Sequence, residues 1–193
     1  MKSIAKFALW GALGFGVGGA GAIMTRGRFW GAFPPFGPAI MGGIGGAVLG
    51  VALKRWRRSG LMALAGLIGF AVGSVVTLIV GLMLVDPFGP YAAEVRLELL
   101  LFAIRGAIGG AAVGLAFKGW KGTWLPSLTG AVGFGAGFGI SALLSSIDYW
   151  EVFGDLRRTV VPVIMPAISL IPGVVGGAFL GAAIGYLEER KAD

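Results

Sequence analysis

A chain of 193 residues that is 56% hydrophobic and only 13% charged, with a mean hydropathy of +0.88, is too apolar for an ordinary soluble domain. Its net charge of +7 comes from Lys and Arg in short clusters between apolar runs. It therefore reads as a topology signal and a contact to anionic lipid, and nucleic acid is not expected as a partner. The chain has no Cys, His, Asn or Gln. That excludes disulfides and thiolate chemistry, removes the commonest haem and zinc ligands, and leaves a hydrolase triad without its base. No cofactor, metal site or enzymatic activity is expected, and the scarcity of thermolabile residues fits a thermophilic source.

Several uncharged runs reach 18 residues or more, long enough to cross a bilayer as helix. They lack the ten-residue alternation of a membrane barrel, so helices are expected. Helix 1 is read over 4–24. Lys2, Lys6 and the apolar run after them have the look of a secretory signal, but the run belongs to an internal repeat and is read as a retained first span. Helix 2 is read over 38–53 and ends at Lys54-Arg55-Trp56-Arg57-Arg58. Helix 3 follows over 61–85, then a loop at Asp86-Pro87-Phe88-Gly89-Pro90. Helix 4 ends at Phe117 and begins between Ala92 and Leu99; helix 5 covers 125–147; helix 6 ends near Leu187.

Ten Lys or Arg lie at the termini and in the linkers after helices 2 and 4: Lys2, Lys6, Lys54, Arg55, Arg57, Arg58, Lys118, Lys121, Arg190 and Lys191. The other side holds Arg26, Arg28, Arg96, Arg157 and Arg158. This excess puts both termini in the cytoplasm, for a multi-pass protein of the cytoplasmic (inner) membrane.

Self-similarity organises the rest. Odd helices share Gly-x-x-Gly-Phe-x-x-Gly, as Gly11-Gly14-Phe15-Gly18, Gly66-Gly69-Phe70-Gly73 and Gly130-Gly133-Phe134-Gly137. Even helices carry glycines four apart: Gly42, Gly46, Gly50; Gly106, Gly110, Gly114; and Gly173, Gly177, Gly181, Gly185. The linkers match as Lys54-x-Trp56-Arg57 and Lys118-x-Trp120-Lys121. Phe-Gly recurs in the outer loops at Phe36-Gly37, Phe88-Gly89 and Phe153-Gly154. The expected fold is an all-α membrane protein. Its six transmembrane helices form three tandem glycine-rich hairpins, related by a pseudo-threefold axis along the membrane normal. A single integral membrane domain over 1–193 would contain repeat units at 4–60, 61–124 and 125–187. Glycine faces let helix backbones approach closely in lipid, where hiding Leu gains little. Hence Gly42, Gly46, Gly50, Gly106, Gly110, Gly114, Gly173, Gly177 and Gly181 are the candidate helix-packing residues. Units two and three carry extra residues before the glycine face, expected as interfacial helices or helix extensions.

Arg105 is the one charge clearly inside an apolar run, 13 residues before Lys118 and so about 20 Å from it along a helix. An intramembrane charge is a functional candidate by default. Its structural reading is a side chain that snorkels outward or pairs with Glu98, Asp86 or a carboxylate of another helix. The equivalent positions in the other units are Met41 and Pro172, so the repeat does not require a charge there. Pro162, Pro166 and Pro172 are expected to kink helix 6. Glu94, Glu98, Asp148, Glu151 and Asp155 lack the spacing of a metal loop and are expected in solvated loops. Ser74, Thr77, Ser141, Ser145 and Ser169 are expected to bond to their own helix backbone. The functional expectation is a structural or accessory subunit that packs through glycine faces, against itself or other membrane subunits, within a larger membrane complex. The alternative is a channel or passive carrier for a small solute or ion.

Overall fold

The computed structural model describes residues 2–26, 36–54, 56–84, 91–146 and 157–190. Six α-helices account for nearly all of them: α1 (Lys2–Arg26), α2 (Phe36–Ala52), α3 (Trp56–Leu84), α4 (Tyr91–Lys118), α5 (Trp124–Ser145) and α6 (Arg157–Glu189). A single 3-10 turn, Trp120–Gly122, precedes α5. No strand occurs among the described residues. Five helices contain spans long and apolar enough to cross a membrane: Ser3–Gly21, Arg58–Met83, Arg96–Lys118, Trp120–Ser145 and Val161–Glu189. α2 is equally apolar but has only 17 residues, about 26 Å of helix.

The residues placed before the glycine faces of units two and three are extensions of α4 and α6. α4 begins at Tyr91, and α6 is one helix of 33 residues with Pro162, Pro166 and Pro172 inside it. The three prolines thus sit within a continuous helix rather than ending it. Each helix packs against its neighbours in the chain, and α6 returns to pack against α1, which closes a ring. The start of α1, the end of α6 and the turns that follow α2 and α4 lie at one end of the ring, the linker end; the opposite end is called the loop end.

α2 and α4 stop where a residue enters the left-handed region, at Lys54 (φ 55°) and Gly119 (φ 69°). Both turns bond back to the helix, Lys54 N–H to the Val51 carbonyl and Gly119 N–H to that of Leu115, each at 2.8 Å. Glycine takes this conformation freely, whereas Lys54 adopts it against a steric cost. Arg58 reaches from α3 to donate to the Phe117 carbonyl at the end of α4 (3.3 Å), satisfying one of the open acceptors of a helix C-terminus.

The distribution of side chains is the reverse of a soluble protein. Leu9, Leu13, Val17, Leu61, Leu64, Leu82 and Leu143 are exposed on the perimeter, while glycines and aromatic rings fill the interior. One contiguous core draws on all six helical segments, including Phe7 and Phe15, Leu49, Met62 and Phe70, Val113 and Phe117, Phe134, and Leu180 and Ile184.

Candidate functional site

The middle of the bundle is built from the phenylalanine of each odd-helix motif. Phe15, Phe70 and Phe134 come from α1, α3 and α5 and are essentially inaccessible. Their ring centroids lie 5.5, 5.7 and 5.1 Å apart at tilted or edge-on angles of 51°, 70° and 65°. Offset and edge-to-face geometry is what the aromatic quadrupole favours at such distances. Each ring is seated on a glycine. A Cβ at Gly45 would strike the Phe15 ring, one at Gly109 the Phe70 ring, and one at Gly176 the Phe134 ring. The sequence reading missed these three seats. The signal was present as a doubled glycine in every even helix, Gly45-Gly46, Gly109-Gly110 and Gly176-Gly177.

The nine glycines singled out from the sequence lie against backbone of the same chain. Gly42 meets the Gly66 carbonyl, Gly46 that of Met62, and Gly50 the Cα of Ser59, all joining α2 to α3. Gly106 meets Gly130, Gly110 meets Pro126, and Gly114 meets Gly122 and Thr123, joining α4 to α5 and its preceding turn. Gly173 meets Phe15, Gly177 meets Gly11, and Gly181 meets Phe7, joining α6 to α1. In each case a Cβ would collide with main-chain atoms, so no side chain could step aside. Ser59 adds a hydrogen bond across the α2–α3 contact, to the Ala47 carbonyl at 3.0 Å.

Toward the linker end the core is apolar: Leu49, Val113 and Leu180, one from each even helix, are completely buried beside the phenylalanines. Toward the loop end it is partly polar. Arg105 lies on α4 next to Gly73 of α3. Its guanidinium donates to the Thr77 hydroxyl at 3.0 Å and lies 4.9 Å from the Phe102 ring centroid, in cation–π contact. Thr77 and Phe102 are each about one turn toward the loop end, so the side chain runs in that direction. It does so inside the bundle, toward α3. Glu98 is exposed, and Asp86 lies outside the described residues. Phe102 in turn stacks on Phe138 of α5, at 4.4 Å and 16°.

Thr77 and Ser74 are buried, donating to the Ser74 and Phe70 carbonyls at 3.0 and 2.8 Å. Ser169 likewise bonds its own helix, at Met165. Ser141 departs from that expectation: its hydroxyl crosses from α5 to the Ile168 carbonyl of α6 at 3.2 Å. Of the acidic residues named from the sequence, Asp148, Glu151 and Asp155 lie outside the described residues, as do the Phe-Gly loops at 88–89 and 153–154. No group of His, Cys, Asp and Glu that could hold a metal occurs among the described residues. The chain matches no protein family, no curated protein and no solved structure.

Proposed function

We propose that this chain is a structural or accessory component of a larger membrane assembly, made by triplication of one helical hairpin. In this reading all six helices cross the bilayer, with both termini in the cytoplasm of a cell bounded by that membrane. The three hairpins surround a pseudo-threefold axis along the membrane normal, and Phe15, Phe70 and Phe134 meet on it. The regular recurrence of each ring on its own glycine supports the triplication.

The observation that carries the functional reading is the interlocked aromatic centre backed by buried Leu49, Val113 and Leu180. It fills the place where a conduction path would run, and fixed packing rather than chemistry is what these residues provide. Because the glycine faces are occupied by helices of the same chain, a partner subunit or a second copy meets the leucine- and valine-rich perimeter instead. Anionic lipid head groups meet the basic linker end, where Lys54 and Lys118 are exposed. Isolation from the source membrane in mild detergent tests this: co-isolation with other subunits, or as a stable multimer, is expected, and a lone 19.7 kDa chain contradicts it.

A channel or passive carrier for a small solute or ion is the alternative reading. The inward cluster of Arg105, Thr77 and Ser74 at the loop end favours it. The apolar linker half weighs against it, since a polar solute would have to shed its water there.

A further inference from the structure

The perimeter differs among the three glycine contacts. At α6–α1 and α2–α3 a branched side chain fills the outer seam. A Cβ built on Gly16 would lie 2.9 Å from Val174, and one on Gly43 would lie 3.5 Å from Leu67. At α4–α5 the repeat puts alanine in both places. Ala103 stands three residues before Gly106 as Val174 stands three before Gly177, and Ala131 follows Gly130 as Leu67 follows Gly66. Ala136 likewise stands where α1 and α3 have Val17 and Val72, two residues after the phenylalanine. The result is an open groove of about 300 Å³ on the outside of the bundle, lined by Leu99 and Ala103 of α4 and by Ala131, Val132, Gly135 and Ala136 of α5.

We propose that this groove binds one phospholipid with a net negative head group, its phosphate at Arg96 and an acyl chain laid between α4 and α5. The site depends on α4 and α5 crossing the bilayer, as proposed for this chain. None of the six lining residues carries a polar side chain, as hydrocarbon requires. Arg96, Leu99 and Ala103 are spaced three and four apart, so they share one face of α4. Arg96 is exposed and begins the apolar span Arg96–Lys118. That span has 23 residues, about 34 Å of helix against a hydrocarbon core of similar thickness. Its two terminal charges therefore stand at the two head-group levels. Leu99 and Ala103 then lie about 4 and 10 Å below Arg96, at the depth of a lipid chain. Glu98 is also exposed, but it is two residues from Arg96 and so on the far side of the helix. A phosphate at Arg96 neutralises a cation at the membrane surface, and basic residues beside membrane helices recognise anionic head groups in this way. A helix of another protein laid along the same line would instead cover that charge, which is costly in a membrane.

The test uses the full chain in phosphatidylcholine vesicles carrying a trace of phosphatidylglycerol or phosphatidylethanolamine with a photoreactive diazirine on one acyl chain. Adducts are mapped by peptide mass spectrometry. Val75 and Ile79, exposed on α3 at the same depth, serve as the reference face. Phosphatidylglycerol is expected to label 99–103 and 131–136 more heavily than that face, and phosphatidylethanolamine to label the two alike. Arg96→Gln should cut groove labelling by phosphatidylglycerol about fivefold, the worth of one basic residue near the membrane surface. The pair A131L/A136V installs the α3 residues, fills the groove and should bring its labelling down to the reference level with Arg96 intact. Equal labelling of the groove and the reference face by phosphatidylglycerol overturns the site, as does unchanged labelling in either variant. A co-isolated protein chain that cross-links to the groove and shields it from lipid overturns the lipid in favour of a protein partner. If neither face is labelled, the helices do not cross the bilayer, and the site falls together with the membrane reading; labelling of the reference face alone overturns the site only.

Discussion

Removing one ring of the aromatic centre tests whether the bundle is held from its middle. Phe70 is fully buried and takes part in two of the three ring pairs, with Phe15 at 5.5 Å and Phe134 at 5.1 Å. Phe70→Ala forfeits both pairs, about 0.5–1.5 kcal/mol each. It also leaves a void that close-packed glycine contacts around it cannot collapse to fill, so the whole change falls near the upper part of the about 3–5 kcal/mol usual for a buried Phe→Ala. For a chain of this length that corresponds to a melting midpoint lower by about 6 to 20 °C. Phe70→Leu keeps most of the volume and should cost less than about 1.5 kcal/mol. The assay is thermal unfolding in mild detergent of the Ala and Leu variants at Phe15, Phe70 and Phe134. Comparable losses are expected at all three positions. A midpoint at the wild-type value for any one Ala variant would refute the claim that the three rings form a single unit.

Other outcomes follow from the same contacts. Gly110→Leu places its side chain into the Pro126 carbonyl and should prevent α4 and α5 from closing, read as loss of the monodisperse species on size exclusion. Gly60→Ala is the matched control: a Cβ there meets nothing within 4 Å, and better helix propensity should stabilise by about 1 kcal/mol. Lys54→Gly relieves the left-handed backbone (φ 55°) and should raise the midpoint, by an amount on the order of 1 kcal/mol. Arg105→Met installs the residue of unit one and should fold, changing stability by no more than about 3 kcal/mol through loss of the charged hydrogen bond to Thr77. If the amide-poor composition reflects a thermophilic source, the wild-type midpoint should exceed about 60 °C.

Much of this architecture was legible in the sequence because the membrane restricts the choices. Apolar runs had to be helices, and glycines four apart had to be sites of close approach, since lipid offers no hydrophobic drive to bring helices together. The extra residues of units two and three continue the helices into α4 and α6, one of the two forms expected for them. What the sequence left open concerns relations between helices far apart in the chain. The motif names a phenylalanine in each odd helix and no role for it; that three such rings converge depends on how the ring of helices closes. The sequence does not say which of the four α6 glycines meets Gly11; in the structure it is Gly177, and Gly185 then lies against Ile4. Arg105 was identifiable as the residue that breaks the repeat, but its hydroxyl partner is 28 residues away on another helix and has no signature of its own. Ser141 bonds across to Ile168 for the same reason: a hydroxyl satisfied within one helix and one that bridges two look alike in sequence.

That the middle of the bundle is sealed supports the structural reading more than any other feature, and flux through purified protein in liposomes tests it most directly. With Phe15, Phe70 and Phe134 interlocked, proteoliposomes should pass protons, potassium, chloride and small neutral solutes no faster than protein-free liposomes. Solute flux above that background that saturates with concentration and changes on substitution of Phe70 or Arg105 would contradict the account and establish the transport reading in its place.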